Sequence, residues 1–223
     1  MSAIALLLGL LIDHFVGETK RWHPLVGFGN VASKLEKAAN PSSHVEGKLR
    51  GLVCWVLIVL VPVTLVALLI SQLSGLALLL TNGLVIYFVV GLTSLAEHGR
   101  NVAVPLLSGD LSAARQNIAM MVSRDTDKLT DQQVSSAACE SVLENGCDAI
   151  FAALFWFLVF GAPGAILYRG ANTLDAMWGY KTYRYRKFGW AAARIDDVLN
   201  WIPARLTAIS YGLVGNFSSA LKC

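Results

Sequence analysis

Residues 51–96 contain no Asp, Glu, Lys, Arg or His, and an uncharged run of that length predicts two membrane crossings of roughly twenty residues each. Ser71-Gln72-Leu73-Ser74-Gly75 is the natural hairpin between them. A buried helical pair in a water-soluble core is a poor alternative, because such helices normally keep a polar face. Residues 1–12 form a shorter apolar run without a basic leader, followed by Asp13 and His14 rather than a small-residue cleavage site. This pattern predicts a retained helix and not a cleaved signal.

Polar residues return over 97–148, where eight acidic and four basic side chains read as a helical, soluble-looking insert. Asp110 stands at the start of one helix, and Thr130 with Gln133 three positions later forms a capping box for a second over about 131–145. Ser123-Arg124-Asp125-Thr126-Asp127 is the loop between them. Lys34, Lys37, Lys48 and Arg50 precede the first crossing and Arg100 follows the second, so by the positive-inside rule both outer ends are cytoplasmic.

The apolar stretch 149–168 conflicts with that rule. A simple crossing would export Arg169, Lys181, Arg184, Arg186, Lys187 and Arg194. Gly161-Ala162-Pro163-Gly164 interrupts the stretch after twelve apolar residues, which leaves two readings: a re-entrant hairpin whose ends share one face, or a kinked spanning helix. A backbone break at membrane depth is tolerated only against protein or a wet cavity. Residues 198–217 are apolar enough to form a final membrane helix, with Pro203 and Arg205 in its first turns.

Composition agrees with these expectations. The 223 residues are 55% hydrophobic and 15% charged, with a mean hydropathy of +0.56, above the apolar share of soluble domains. The expected fold is all-α: one polytopic membrane domain with about four to five membrane segments. Its stretches are 1–50, 51–96, 97–148 and 149–223, and membrane lipids are its surroundings. The net charge of +3 is modest, and no nucleic-acid module is recognisable. Cys54, Cys139, Cys147 and Cys223 include no Cys-x-x-Cys pair. On one helix Cys139 and Cys147 would stand roughly 12 Å apart, too far for a disulfide, so reduced thiols are expected.

Candidate chemistry concentrates around the broken apolar stretch. Glu140, Glu144 and Asp148, spaced by four, form a carboxylate stripe on a continuous helix. The spacing allows a solvated acidic face or a hard-cation site of the kind Mg²⁺ shares with substrate phosphates; the abutting apolar hairpin favours the second. Asn172 and Asp175 lie in Asn172-Thr173-Leu174-Asp175, and helical spacing groups Arg194, Asp197 and Asn200 with Asp196 alongside. Arginine suits phosphate and carboxylate through forked hydrogen bonds, although Arg184, Arg186 and Lys187 are equally explained by lipid headgroups. Asp125 and Asp127, with Arg124 beside them, form a charged loop that could contact a nucleotide or a metal. His23, before Pro24 and after Lys20-Arg21-Trp22, is either structural or a ligand. No Walker loop, Gly-x-Gly-x-x-Gly or Gly-x-Ser-x-Gly occurs.

These residues carry a resemblance. Asp13, His23-Pro24, Arg124-Asp125-Thr126, Glu140-Ser141-Val142 with Glu144-Asn145 and Asp148, Tyr168-Arg169, Asn172-Thr173-Leu174-Asp175 and 193–207 together resemble the CobD/CbiB integral membrane proteins of cobalamin biosynthesis, the adenosylcobinamide-phosphate synthases. The likeness covers essentially the whole chain. The family pattern runs on through a further polar, Gly-rich segment and a closing helix, so the resemblance implies a shortened C-terminal end. It also implies a multi-pass protein of the cytoplasmic membrane with its active site on the cytoplasmic side. The implied reaction is ATP-dependent amide formation between adenosylcobyric acid and (R)-1-amino-2-propanol phosphate. On this footing Glu140, Glu144 and Asp148 would serve Mg²⁺ or ATP, and Arg194 and Arg205 the phosphates. Asp175, Asp196 and Asp197 would serve the amine, with Asn172 and Asn200 beside them; Arg124, Asp125, Asp127, Asn145 and His23 would contact ATP. The six tryptophans offer surface for a corrin ring. Other cobalamin-assembly enzymes or a second copy are conceivable partners. A non-catalytic ligand-binding, regulatory or scaffold protein of the same superfamily is the competing reading, and a transporter is disfavoured because the charges crowd one interface rather than a midplane.

Overall fold

The computed structural model describes residues 2–17, 19, 23–40 and 47–215. Lys20-Arg21-Trp22, Cys223 and the last part of the expected final helix lie outside them. The described residues form helices and no strand. These are α1 (Ser2–Val16), α2 (Pro24–Ala39), α3 (Gly47–Ser71), α4 (Gly75–Val89), α5 (Leu92–Leu107), α6 (Leu111–Ile118), α7 (Asp131–Gly146), α8 (Ala152–Trp178), α9 (Tyr185–Phe188) and α10 (Trp190–Val214).

Most boundaries follow local chemistry. Asp110 caps α6 by accepting from the Ala113 amide at 2.9 Å. Thr130 and Gln133 exchange both bonds of a capping box at the head of α7, satisfying amides that a helix start otherwise leaves bare. The α3–α4 hairpin turns at 72–74, inside the uncharged segment expected to form it. Asp13 is buried and accepts from the Thr93 amide at 2.9 Å and the Thr93 hydroxyl at 2.8 Å, so α1 caps the first turn of a neighbouring helix, where the chain restarts after Gly91. Polar insert helices α5, α6 and α7 close on a small core of their own, built on Val102, Ala114, Ile118, Val134 and Ala137.

Three helical stretches are long and apolar enough to cross a membrane: Gly47–Ser71, Gly75–Leu107 and Asp131–Trp178. Leu65, Leu68, Leu69, Leu76 and Leu80 point outward from the first two, as lipid-facing side chains do. The third stretch is not one rod. Gly161 has φ 67° and ψ −156°, a conformation open in practice only to glycine, and the chain folds back on itself there. Asp148 and Asn172 are 24 positions apart yet hydrogen-bonded at 3.3 Å, whereas a straight helix would separate them by about 36 Å. Gly164 packs so closely on the returning arm that a Cβ there would strike the Trp156 carbonyl oxygen. Between Asp148 and Gly161 an arm spans about 20 Å, less than the hydrocarbon thickness of ~30 Å. The stretch is therefore a folded-back hairpin and not one kinked rod.

The second arm of the hairpin sits at the centre. Its small residues Ala162, Ala165 and Ala171 let α1, α3, α4 and α10 approach closely, the usual basis of helix association in lipid. Trp55 and Trp178 are buried in this core, so packing, and not the expected ring-binding surface, occupies those two tryptophans. Helix α10 carries Arg194, Asp196, Asp197 and Arg205 and is not among the long apolar helices.

Candidate active site at the open end of the hairpin

Folding back at Gly161 brings the polar ends of both hairpin arms to one place. Asp148 lies in a wide π-helical turn, Cys147–Phe151, which interrupts the ordinary helical register. One Asp148 oxygen accepts from the Asn172 amide at 3.3 Å and the other from the Asn200 amide at 3.0 Å. Asn200 also accepts from the Tyr168 hydroxyl at 3.0 Å and lies 3.5 Å from Asp196. Trp156 donates to the Leu199 carbonyl at 3.1 Å, which pins the first arm to α10 and fixes this network. Wide turns of this kind recur at functional sites because they re-aim a side chain.

Above the network opens a cavity of about 640 Å³, within the range of small-ligand sites. Seven of the sequence-predicted residues line it: Arg124, Glu140, Glu144, Asn145, Asp148, Asn172 and Asp175. Arg124 reaches Glu140 at 3.6 Å across the mouth. Asp196 and Asn200 lie behind the wall, Asn200 donating to Asp148 at 3.0 Å and reaching Asp196 at 3.5 Å. Arg194 and Asp197 pair with each other at 3.1 Å and line a neighbouring recess. The remaining candidates are elsewhere. Asp125 and Asp127 close their own loop, the Asp127 amide donating to Asp125 at 3.0 Å. Arg205 stacks on Trp201 at 4.0 Å and donates to its carbonyl. His23 accepts from the Leu25 amide at 3.3 Å as the cap of α2, with its ring edge on Phe88. A cap needs only local geometry, which is why the motif alone left the role of His23 open.

The family model described as CobD/Cbib protein matches residues 6–223. The chain belongs to the CobD/CbiB family. Cobalamin biosynthesis protein CobD of Stutzerimonas stutzeri is 51% identical over all of this chain and 73% of its own length. The protein of the same name from Chromobacterium violaceum is 50% identical over all of this chain and 72% of its own. An archaeal relative from Methanococcus vannielii, named probable cobalamin biosynthesis protein CobD, is 38% identical over 94% of this chain and 70% of its own. No solved structure matches.

In this CobD/CbiB chain the expected metal tripod is not a preformed cage. No three carboxylate, His or Cys side chains among the described residues lie together in a metal-binding group. The reason is the wide turn: it starts at Cys147 and carries Asp148 off the stripe of Glu140 and Glu144 toward the two asparagines. The cavity wall still offers the carboxylates of Glu140 and Glu144, which fits Mg²⁺ in the mode where one or two carboxylates share the ion with substrate phosphates and water.

Asp196 has the most perturbed environment outside the long apolar helices. It is 8% exposed, and its Oδ1 has no hydrogen-bond partner among the described residues. Burial first, and then the charges of Asp175 and Asp148, push its carboxyl up to about 7. A carboxyl poised there can take and return a proton at neutral pH. Arg169 was not among the residues predicted from type and spacing. It lines the acidic cavity and, from 149 to 180, is the sole cation beside the sole anion Asp175. A charged residue isolated in membrane-grade sequence is by itself a functional signal, and that signal pointed to it.

Proposed function

We propose that this membrane protein of cobalamin biosynthesis is an amide ligase that joins the free propionate of adenosylcobyric acid to (R)-1-amino-2-propanol phosphate with ATP as co-substrate. The observation that carries the reading is the cavity itself: Glu140, Glu144, Asp148 and Asp175 face Arg124 and Arg169 around one opening, and the Asn200 amide links the Asp148 of its wall to buried Asp196 behind it. The corrin ring is too large for this space, and only its carboxylate arm and the amine need to enter.

The chemistry has two displacements. A corrinoid carboxylate oxygen attacks the terminal phosphorus of ATP and ADP leaves, giving an acyl phosphate. The amine nitrogen then attacks the acyl carbon and inorganic phosphate departs. Carboxylates of the wall hold the incoming ammonium, and Asp196 takes its first proton; the second leaves nitrogen as the amide forms. Arg124 and Arg169 offset negative charge on the carboxylate and phosphates. Glu140 and Glu144 are the residues that would hold Mg²⁺, which when bound neutralises charge developing on the phosphates.

The test is turnover of protein held in nanodiscs with adenosylcobyric acid, aminopropanol phosphate, ATP and Mg²⁺, following the corrinoid product by mass. Glu144→Gln removes one charge from an exposed wall position and should lower turnover about 10–100-fold with an unchanged melting temperature. Near-normal turnover would remove Glu144 from the site. The density of Lys and Arg around 181–194 and ahead of α3 favours a cytoplasmic location for the cavity. Lys181→Cys in intact cells should therefore resist a membrane-impermeant thiol reagent added outside; efficient external labelling would refute that orientation.

A further inference from the structure

Next to the acidic cavity lies a recess of about 1040 Å³ with the opposite chemistry. Lys48, Lys181, Arg186, Lys187 and Arg194 line it against one carboxylate among the described residues, Asp197. Four net positive charges thus face one space, in a chain whose whole formal net charge is +3; the rest of the protein is net acidic. These cations come from the head of α3, the 179–189 segment and α10, so no single helix face accounts for their gathering.

The segment that supplies three of them is anchored. Arg184 makes a two-pronged bond to buried Glu36, with both N···O distances 2.9 Å. Asn40 donates to Glu36 at 2.9 Å and to the Arg184 carbonyl at 3.1 Å. This latch turns Arg184 away from the recess and leaves its neighbours Arg186 and Lys187 around it. Mutually repelling cations held in a concave wall need an anion to offset them. Tyr180 lines both the basic recess and the acidic cavity, so the two spaces adjoin.

We propose that the basic recess is the docking site for the polyphosphate chain of the nucleotide. The inference rests on the ATP-dependent reading above and divides its work: the acidic cavity takes the ammonium, the acyl group and the reacting terminal phosphate, and the adjoining basic recess holds the rest of the polyphosphate chain, whose negative charge the lining offsets. A lipid headgroup phosphate presents the same chemistry from a different source.

The experiment compares wild type with Lys181→Ala/Arg186→Ala/Lys187→Ala in nanodiscs of phosphatidylcholine alone, using inorganic tripolyphosphate as the binding probe and steady-state kinetics as the second readout. The triple variant should weaken tripolyphosphate binding and raise KM for ATP at least about tenfold, with KM for aminopropanol phosphate unchanged. Melting temperature confirms the fold, and Arg186→Ala alone should shift both readouts in the same direction if the triple variant is unstable. Unchanged KM for ATP and unchanged tripolyphosphate binding in a folded variant overturn the proposal while leaving the ligase reading intact. Tripolyphosphate binding lost in the variant, from a wild type that shows no turnover, sustains the site and removes the ligase reading. If, in a parallel vesicle-binding measurement with phosphatidylglycerol, the variant instead loses only its affinity for that lipid, the cations serve lipid headgroups and the proposal fails.

Discussion

Asp196→Asn is expected to reduce amide synthesis by about 10²–10⁴-fold, the usual contribution of a positioned acid–base group, while making the folded protein more heat-stable above pH 7. Both effects have one origin. Asp196 is buried, one oxygen lacks a partner among the described residues, and its carboxyl is pushed up to about 7 by burial and by the charges of Asp175 and Asp148. A folded-state value raised above that of the unfolded chain means the native protein binds more protons between the two. Stability from this group is therefore fully present below the ordinary carboxylate range and is lost as pH rises through about 7. Asn cannot ionise and removes that loss. Melting curves at pH 5, 7 and 8.5 should show the variant's advantage growing with pH, and the rate of the wild type should fall about tenfold per unit below pH 7, where the base is protonated. A variant that keeps its turnover, or whose melting temperature differs from wild type by the same amount at every pH, would show that Asp196 is only a packing residue.

Gly161→Ala is expected to disrupt the site from a distance. Space is not the obstacle, since an added Cβ would find only Pro163 Cδ nearby, at 3.8 Å. The obstacle is the backbone: φ 67° with ψ −156° costs a residue with a side chain about 1–3 kcal/mol. That conformation produces the fold-back which sets Asp148 beside Asn172, so relaxing it separates the two and opens the floor of the cavity. A lower melting temperature together with loss of turnover is the expected result. Pro163→Ala is the control, because proline near the start of an arm is tolerated but not required, and it should leave both readouts close to wild type. If Gly161→Ala melts and turns over like wild type, the hairpin does not depend on this conformation.

Much of the fold is legible because it is set by short-range physics. Uncharged 51–96 gives the α3–α4 pair, the Thr130–Gln133 box gives the start of α7, and the charge conflict around Arg169 together with Gly161-Ala162-Pro163-Gly164 points to a hairpin. Each of these depends on a residue and its near neighbours, and each resists rearrangement because a bare helix end or an unmatched backbone group is costly in lipid. The site was legible as a set of residue types, and seven of the predicted residues do line one cavity.

What the tertiary structure alone decided is how those residues face one another. Spacing by four placed Asp148 in line with Glu140 and Glu144 on the assumption of an unbroken α-helix; the wide turn at Cys147–Phe151 rotates it instead to Asn172 and Asn200. Asp196 and Asp197 are adjacent and chemically identical in the sequence, yet one is buried beneath the acidic cavity and the other pairs with Arg194 in the basic recess. Arg194 and Arg205 look alike as phosphate ligands, and only packing separates a recess wall from a stack on Trp201. Helix starts and apolar runs follow from residues within one or two turns of each other. The facing of side chains across the hairpin depends on contacts up to 52 positions apart, and a change of one turn's width redirects them all.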